Sequence, residues 1–202
     1  MIKYILAVLV LGVAAGYLNS VWGSLAVDGF VSDYLFNFSL VFLLFVMGLI
    51  FGFDKEAAAK LRKAGLKILV LPVVVAFGSV FGGLVAGLIL GINVVASMAV
   101  CAGYGWYTLA GPLTGQVFGV EIGALGFAVN FFRELFTIAS ASVAVRFDKY
   151  ASVALGGATT MDTTLPVITR FSGSDVLVAS FTSGFALSAV APFSIIAISS
   201  LK

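Results

Sequence analysis

Histidine is absent from this chain of 202 residues, cysteine occurs once, and charged residues make up only 10% of the sequence. Without histidine the chain cannot form an HExxH zinc site, a histidine-based catalytic triad or an imidazole proton relay. The single cysteine, Cys101, excludes an internal disulfide and is expected to pack as a small hydrophobe. No glycine-rich phosphate loop ending in Gly-Lys-Ser or Gly-Lys-Thr is present, which excludes ATP hydrolysis by that route. We predict no metal site and no cofactor.

Apolar residues make up 61% of the chain, and its mean hydropathy is +1.18. About 20 apolar residues span the hydrocarbon core of a bilayer, and runs of about that length lie near 4–22, 34–53, 67–91, 93–111, 121–145, 150–168 and 174–199. They are too long and too uniformly apolar for the strands of a membrane barrel. The sequence therefore predicts an all-α, polytopic membrane protein with about six or seven transmembrane segments, forming one domain over residues 1–202.

Basic residues crowd into the loop 54–67, which contains five lysines and arginines and two acids. The loop 23–33 contains two aspartates and no base. Because basic loops stay in the cytoplasm, we predict a multi-pass protein of the inner membrane with its N-terminus and the 54–67 loop inside. Only Ile92 separates segments 67–91 and 93–111, which predicts a tight outer hairpin that returns the chain inward. The C-terminus is predicted outside if 150–168 spans the membrane and inside if it re-enters.

One acid lies among glycines, threonines and a proline in GGATTMDTTLPVI, residues 156–168. A carboxylate at the bilayer centre costs about 2.5–3.5 kcal/mol, so Asp162 needs a partner or water. Glycine and proline disfavour a continuous helix, and broken helices line the substrate sites of secondary transporters. We predict a break formed by Gly156, Gly157 and Pro166. The site at Asp162 would be completed by the hydroxyls of Thr159, Thr160, Thr163 and Thr164.

A second polar group lies in FAVNFFRELFTIASAS, residues 127–142. Asn130, Glu134 and Thr137 recur at steps of four and three, which places them on one helical face. Arg133 points about a quarter of a turn away, so it need not neutralise Glu134 and can pair with another helix. We predict that Asn130 and Glu134 bind the substrate or ion. The alternative is a buried Arg–Glu network that only orients helices.

Glycines and Pro112 in CAGYGWYTLAGPLTG, residues 101–115, predict another interrupted helix near 103–115, with Gly103 and Gly105 in the break. The aromatic faces of Tyr104 and Trp106 can hold an ammonium group by cation–π attraction. The alternative is an aromatic belt at the membrane interface. We predict that the two interrupted segments face each other across the site.

Three motifs, GYGWYTLAG, NFFRE and GGATTMDTTLPVITRFSG, occur in this order before a last apolar helix. They resemble the bacterial lysine exporter family of the LysO type over about residues 95–200. The resemblance implies export of L-lysine, or a related cationic amino acid, across the inner membrane, with Glu134 and Asp162 at the family's acidic positions. Single-chain members are longer and have further N-terminal membrane segments. We therefore expect either a homodimer or a separately encoded small membrane subunit.

These observations together predict a secondary transporter, not an enzyme, that works by proton or sodium antiport. Any proton coupling must use carboxylates, because the chain has no histidine. The expected partners are the amino acid, the coupling ion and the lipid bilayer, with no nucleic acid. Two alternatives remain open: a channel or structural subunit whose carboxylates hold helices together, and an intramembrane hydrolase that uses Glu134 and Asp162 as an acid–base pair.

Overall fold

The computed structural model describes residues 66–202 without a gap, together with residues 10–12, 14–19, 21, 34–35, 38–39, 41–42, 45–46, 49 and 53. The chain divides into two compact units, residues 1–55 and 56–202. The predicted segments 4–22 and 34–53 and most of the 54–67 loop lie outside the described residues. The interpretation of residues 1–202 as one domain stays a prediction.

The second unit contains seven α-helices among its described residues, in three long and four short pieces. In chain order they are α1 (Val70–Leu90), α2 (Val94–Cys101), α3 (Tyr107–Phe118), α4 (Val120–Ala144), α5 (Ala151–Gly156), α6 (Leu165–Ser172) and α7 (Leu177–Ser199). Short 3-10 turns lie at Leu66–Leu69, Gly157–Met161 and Ser174–Val176.

The three long helices, α1, α4 and α7, are apolar enough to cross a membrane. Their 21, 25 and 23 residues correspond to about 31–38 Å at the rise of an α-helix, against a hydrocarbon core of about 30 Å. The chain is thus an all-α, multi-pass membrane protein, as the sequence predicts.

Helices α2 and α3 form a first hairpin, which enters and leaves the unit at the end where α1 stops. The chain reverses at residues 102–106, and α3 then runs to Phe118, directly before α4. The last residue of the chain also lies here, because the Lys202 ammonium donates a hydrogen bond to the Val117 carbonyl at 2.9 Å. We call this the distal end, and the end at which α1 begins the proximal end.

Helices α5 and α6 form a second hairpin, which enters from the proximal end. Tyr150, just before α5, lines a cavity together with Ile68 before α1 and Asp175 before α7. The chain returns to this end after α6, because the hydroxyl oxygens of Ser152 and Ser172 lie only 2.8 Å apart. Segment 150–168 therefore re-enters, as one of the two alternatives proposes. The C-terminus that this alternative places inside instead lies at the distal end, opposite the start of α1, because the first hairpin also re-enters.

The tips of the two hairpins meet inside the unit. The Ala158 amide of the second hairpin donates a hydrogen bond to the Tyr104 carbonyl of the first at 2.8 Å. The backbones also approach closely on either side of this bond. A Cβ atom on Gly157 would overlap the Tyr104 carbonyl oxygen, and one on Gly105 would lie 3.1 Å from the Gly156 carbonyl oxygen. The two interrupted segments thus face each other, as predicted, and touch through their backbones.

The predicted return of segment 93–111 across the membrane is wrong. Helix α2 has 8 residues and α3 has 12, or about 12 and 18 Å, so neither reaches across a bilayer. The tight turn after α1 forms, but the chain then reverses at 102–106. This reversal is the interruption predicted near 103–115, although Pro112 lies inside α3 and does not end it. Gly111 and Gly115 pack α3 closely against α4 at Gly123.

Long helices and hairpins alternate along the chain, and the two halves run in opposite directions. Helix α1 with the first hairpin and α4 with the second hairpin form an inverted pair, and α7 follows them. Inverted-topology repeats of this kind are common in secondary transporters, whose sites lie where the repeats meet. The interface between the hairpin tips is therefore the place to look for a site.

Candidate functional site

Helix α4 carries the side chain that holds the first hairpin. Asn130 is 1% exposed, and its Oδ1 accepts a hydrogen bond from the Gly105 amide at 2.7 Å. Its Nδ2 donates to the carbonyls of Val100 at 2.9 Å and Gly126 at 2.8 Å. The last carbonyls of a helix lack intrahelical partners, and Val100 lies at the end of α2. A Cβ atom on Gly103 would lie 2.8 Å from Nδ2, so glycine is required there.

One turn further along α4, Arg133 reaches the second hairpin. Its Nε donates to the Leu155 carbonyl at 2.7 Å, and its Nη2 donates to the Ala154 carbonyl at 3.1 Å. Its Nη1 donates to the Ser79 hydroxyl of α1 at 2.8 Å. The side chain therefore pairs with other helices, as its direction on α4 suggests. None of these three partners is a carboxylate.

Glu134 lies next to Arg133 and is 9% exposed. Within residues 66–202, no group donates a hydrogen bond to its buried Oε2. Buried polar atoms in folded proteins are nearly always paired, and an unpaired carboxylate oxygen is especially costly. This oxygen is therefore well suited to accept a hydrogen bond from a cationic or protonated ligand. Asn130, Glu134 and Thr137 are all buried, which agrees with their predicted common face.

Asp162 lies at the tip of the second hairpin, directly after the 3-10 turn. Its side chain is exposed, and its Oδ1 accepts a hydrogen bond from the Thr163 amide at 2.6 Å. The substrate-binding role of Asp162 and Glu134 stays a prediction.

Tyr107 is the aromatic residue that the sequence interpretation passed over in favour of its neighbours. Its half-buried ring packs edge-on against Phe127 and Phe131 of α4, with centroid distances of 5.2 and 5.5 Å. It is the first residue of α3. If the interruption had been predicted to end at Trp106, Tyr107 would have been placed at the start of α3, on the face that packs against α4.

The two aromatic residues selected from the sequence lie elsewhere in the first hairpin. Tyr104 is 2% exposed, has a φ of 53°, and places its phenol within hydrogen-bonding reach of Ser194. The indole Nε1 of Trp106 donates to the Thr108 hydroxyl at 2.9 Å. Tyr104 thus contributes its backbone to the contact between the tips, whereas Tyr107 packs its ring against α4.

The predicted threonines stabilise the second hairpin from within. The Thr159 hydroxyl donates to the Gly156 carbonyl at 2.9 Å and lies 3.2 Å from the Thr164 hydroxyl. The Thr160 hydroxyl lies 2.8 Å from the carbonyls of both Gly157 and Ser180. Thr163 is exposed beside Asp162. These hydroxyl oxygens retain lone pairs that can accept a further hydrogen bond.

Two further features complete the tip of the second hairpin. Pro166 lies in the first turn of α6, where a missing amide proton costs nothing and the fixed φ favours a helix start. On the facing helix α7, the hydroxyls of Ser180, Thr182 and Ser183 are buried and have no hydrogen-bond partner among residues 66–202. The sequence interpretation did not select these three, because serine and threonine are common in membrane helices.

The comparisons with known proteins point to one family. The family described as "Lysine exporter LysO" matches residues 6–199. The chain is 33% identical over 165 residues to "Lysine exporter LysO" of Escherichia coli (strain K12), covering 77% of this chain and 52% of that protein. It is 24% identical over 140 residues to "Putative lysine exporter" of Haemophilus influenzae (strain ATCC 51907 / DSM 11121 / KW20 / Rd), covering 69% and 70%.

The chain thus spans about half the length of the Escherichia coli relative. No solved structure matches it significantly. The family match extends over nearly the whole sequence and includes the three motifs that form the hairpin tips and the middle of α4. The chain therefore belongs to the LysO family of lysine exporters.

Proposed function

We propose that this chain forms the membrane domain of a secondary transporter that exports L-lysine, or a related cationic amino acid, from the cytoplasm. The names of the relatives and the match to the family support the substrate. The observation that carries the proposal is the buried Oε2 of Glu134, to which no group within residues 66–202 donates a hydrogen bond. A hydrogen bond from a charged donor contributes about 1.5–3 kcal/mol, so an ammonium group binds well there.

The second carboxylate and the aromatic ring fit the remainder of such a substrate. Asp162 offers its exposed carboxylate for a second ammonium, and the ring of Tyr107 offers a face for the aliphatic stem or the cation. Glu134, Asp162 and Arg133 together carry two negative charges and one positive charge, a net of −1. Free lysine carries one net positive charge at neutral pH, so the polar residues at the tips complement it.

The proposed energy source is antiport of protons or sodium through the same two carboxylates. A carboxylate that exchanges an ammonium group for a proton or a metal ion couples the two fluxes at one position. The hairpins support this mechanism, because they enter from opposite ends and meet beside Glu134. The N-terminus and the 54–67 loop are proposed to face the cytoplasm. A second copy of the chain or a small membrane subunit is proposed to complete the transporter.

A channel or structural subunit is the alternative that the same residues must be tested against. If the carboxylates only held helices together, Glu134 would be expected to accept hydrogen bonds from neighbouring side chains. Its neighbour Arg133 instead donates to two carbonyls and a serine hydroxyl. This pattern favours a carboxylate kept available for a ligand.

Counterflow of labelled L-lysine in proteoliposomes tests the proposal. The wild-type chain should accumulate labelled lysine transiently against an excess of unlabelled lysine inside, whereas a pore should give no counterflow and a hydrolase should give cleavage products. Glu134→Gln should abolish counterflow because the amide carries no charge. Glu121→Gln, an exposed position on the same helix, should transport normally. Wild-type counterflow by Glu134→Gln would exclude the carboxylate mechanism.

A further inference from the structure

Arg133 donates two of its three hydrogen bonds to the C-terminal end of a very short helix. Helix α5 has six residues, too few to be stable alone, because forming the first turn is unfavourable. Its last carbonyls have no intrahelical partners. The guanidinium reaches two of them, on Ala154 and Leu155. A positive charge at a helix C-terminus also interacts favourably with the helix dipole.

The same guanidinium fixes this tip to two other elements. Nη1 donates to Ser79 in the middle of α1, while the stem of the side chain belongs to α4. A Cβ atom on Gly157 would lie 2.9 Å from Nη2, so glycine lets the backbone approach the planar group. The tip of the second hairpin is therefore held against both α1 and α4 by a single side chain.

Fixing Leu155 also fixes Asp162, because the backbone between them is tightly bonded. The Asp162 amide donates to the Thr159 carbonyl at 3.3 Å, and the Thr164 amide donates to the same oxygen at 3.0 Å. Thr160 further ties the 3-10 turn to α7 at Ser180. A displacement of the end of α5 would thus displace the Asp162 carboxylate as well.

We propose that Arg133 is a positioning residue for transport: it holds the tip of the second hairpin, and with it Asp162, against α1 and α4. Its effect on lysine transport rests on the proposed function, whereas its effect on the hairpin does not. Asn130 performs the corresponding task for the first hairpin, so each tip has its own anchor on α4. Lysine cannot replace Arg133, because an ammonium group is a point charge and cannot donate in a fork.

Because each hairpin tip has its own anchor, each anchor variant can be tested against a reporter cysteine on each tip. The experiment uses the purified full chain in a Cys101→Ser background. Ala102 and Ala158 are buried alanines at the tips of the first and second hairpins, 0% and 4% exposed. A cysteine introduced at either position should react with a maleimide only when its own tip opens. The labelling rate therefore reports the open fraction of each tip and needs no lysine.

Arg133→Lys should raise the labelling rate of Ala158→Cys about ten- to a hundredfold, the equivalent of one lost hydrogen bond to a charged group. The rate of Ala102→Cys should change less, by about two- to tenfold at most, because Asn130 still holds the first hairpin and only the backbone bond between the tips is lost, worth about 0.5–1.5 kcal/mol. Asn130→Ala should give the opposite result. Equal changes at both reporters, or no change at Ala158→Cys, would overturn the proposal.

Lysine counterflow adds the consequence for transport. Arg133→Lys should raise the KM for lysine about tenfold or more through the displaced Asp162, whereas Arg146→Lys, at an exposed position after α4, should leave the KM unchanged. An unchanged KM beside a faster Ala158→Cys reaction would limit Arg133 to a structural role and overturn the proposal. If the wild-type chain showed no lysine counterflow, the proposed function would be contradicted, whereas the effect of Arg133 on the labelling rates would still stand.

Discussion

Replacing Gly157 by alanine should separate the two hairpin tips. Gly157 has φ 62° and ψ −126°, a backbone conformation that side chains other than glycine avoid, at a cost of about 1–3 kcal/mol. The added Cβ would also overlap the Tyr104 carbonyl oxygen. Relief of this overlap breaks the hydrogen bond between Ala158 and Tyr104, which is worth about 0.5–1.5 kcal/mol.

The two costs sum to about 1.5–4.5 kcal/mol. They lower the equilibrium constant for docking of the two tips by about tenfold to a thousandfold. Lysine counterflow by Gly157→Ala should fall by a similar factor if the tips must be docked to bind substrate. The larger Gly157→Leu should impair transport about as severely as Asp162→Asn. The folded protein should remain in the membrane, because α1, α4 and α7 are unchanged.

Gly173 provides a matched control for backbone strain. It has φ 85° and ψ 170°, and nothing lies within 4 Å of a Cβ atom built on it. Gly173→Ala therefore carries the strain of a disfavoured backbone without a collision between the tips. Initial rates of counterflow and thermal unfolding midpoints should be measured for both variants. Equal transport by Gly157→Ala and Gly173→Ala would refute the requirement for close contact between the tips.

Three further predictions concern the site and the topology. Asp162→Asn should abolish lysine efflux from proteoliposomes while membrane insertion persists; efflux at the wild-type rate would remove Asp162 from the mechanism. Tyr107→Phe keeps the ring and should raise the KM for lysine less than Tyr107→Ala does, whereas equal effects would assign the role to the hydroxyl. In a Cys101→Ser background, a membrane-impermeant maleimide should label only one of Ile92→Cys and Lys149→Cys from outside intact cells. Labelling of both would contradict the re-entrant first hairpin.

The sequence was sufficient to predict the polar face of α4. Spacings of four and three residues put Asn130, Glu134 and Thr137 on one side of a helix, and all three are buried. The same geometry turned Arg133 towards another element. Two of its three partners could not be predicted, because they are backbone carbonyls of a segment about 20 residues further along the chain. Backbone acceptors occur at every residue, so only the folded arrangement selects Ala154 and Leu155.

Both helix interruptions were also predictable, because glycine clusters and Pro166 disfavour a continuous helix. The direction of the chain after each interruption was not. An apolar run of about 20 residues has the composition of one span or of two short helices in a hairpin. The contacts that distinguish these cases are long-range, such as the pairing of Ser152 with Ser172. The inverted pair of repeats follows from these reversals, so it could not be predicted from the sequence.

The spacing of the two anchors along α4 fixes the depth of the site. Asn130 and Arg133 are separated by about 4.5 Å along the helix axis, and each binds a different hairpin, so the tips must meet at this level. Glu134 follows directly, about 21 Å from the start of α4 and about 15 Å from its end. It therefore lies near the middle of α4. The first hairpin lies on its distal side and the second hairpin on its proximal side. Asn130 and Arg133 each hold a hairpin with two hydrogen bonds, and their third bonds go to Gly126 of α4 and Ser79 of α1. Only one backbone bond joins the tips of the described hairpins. An opening towards either side is therefore expected to break the contact between the tips before it breaks an anchor.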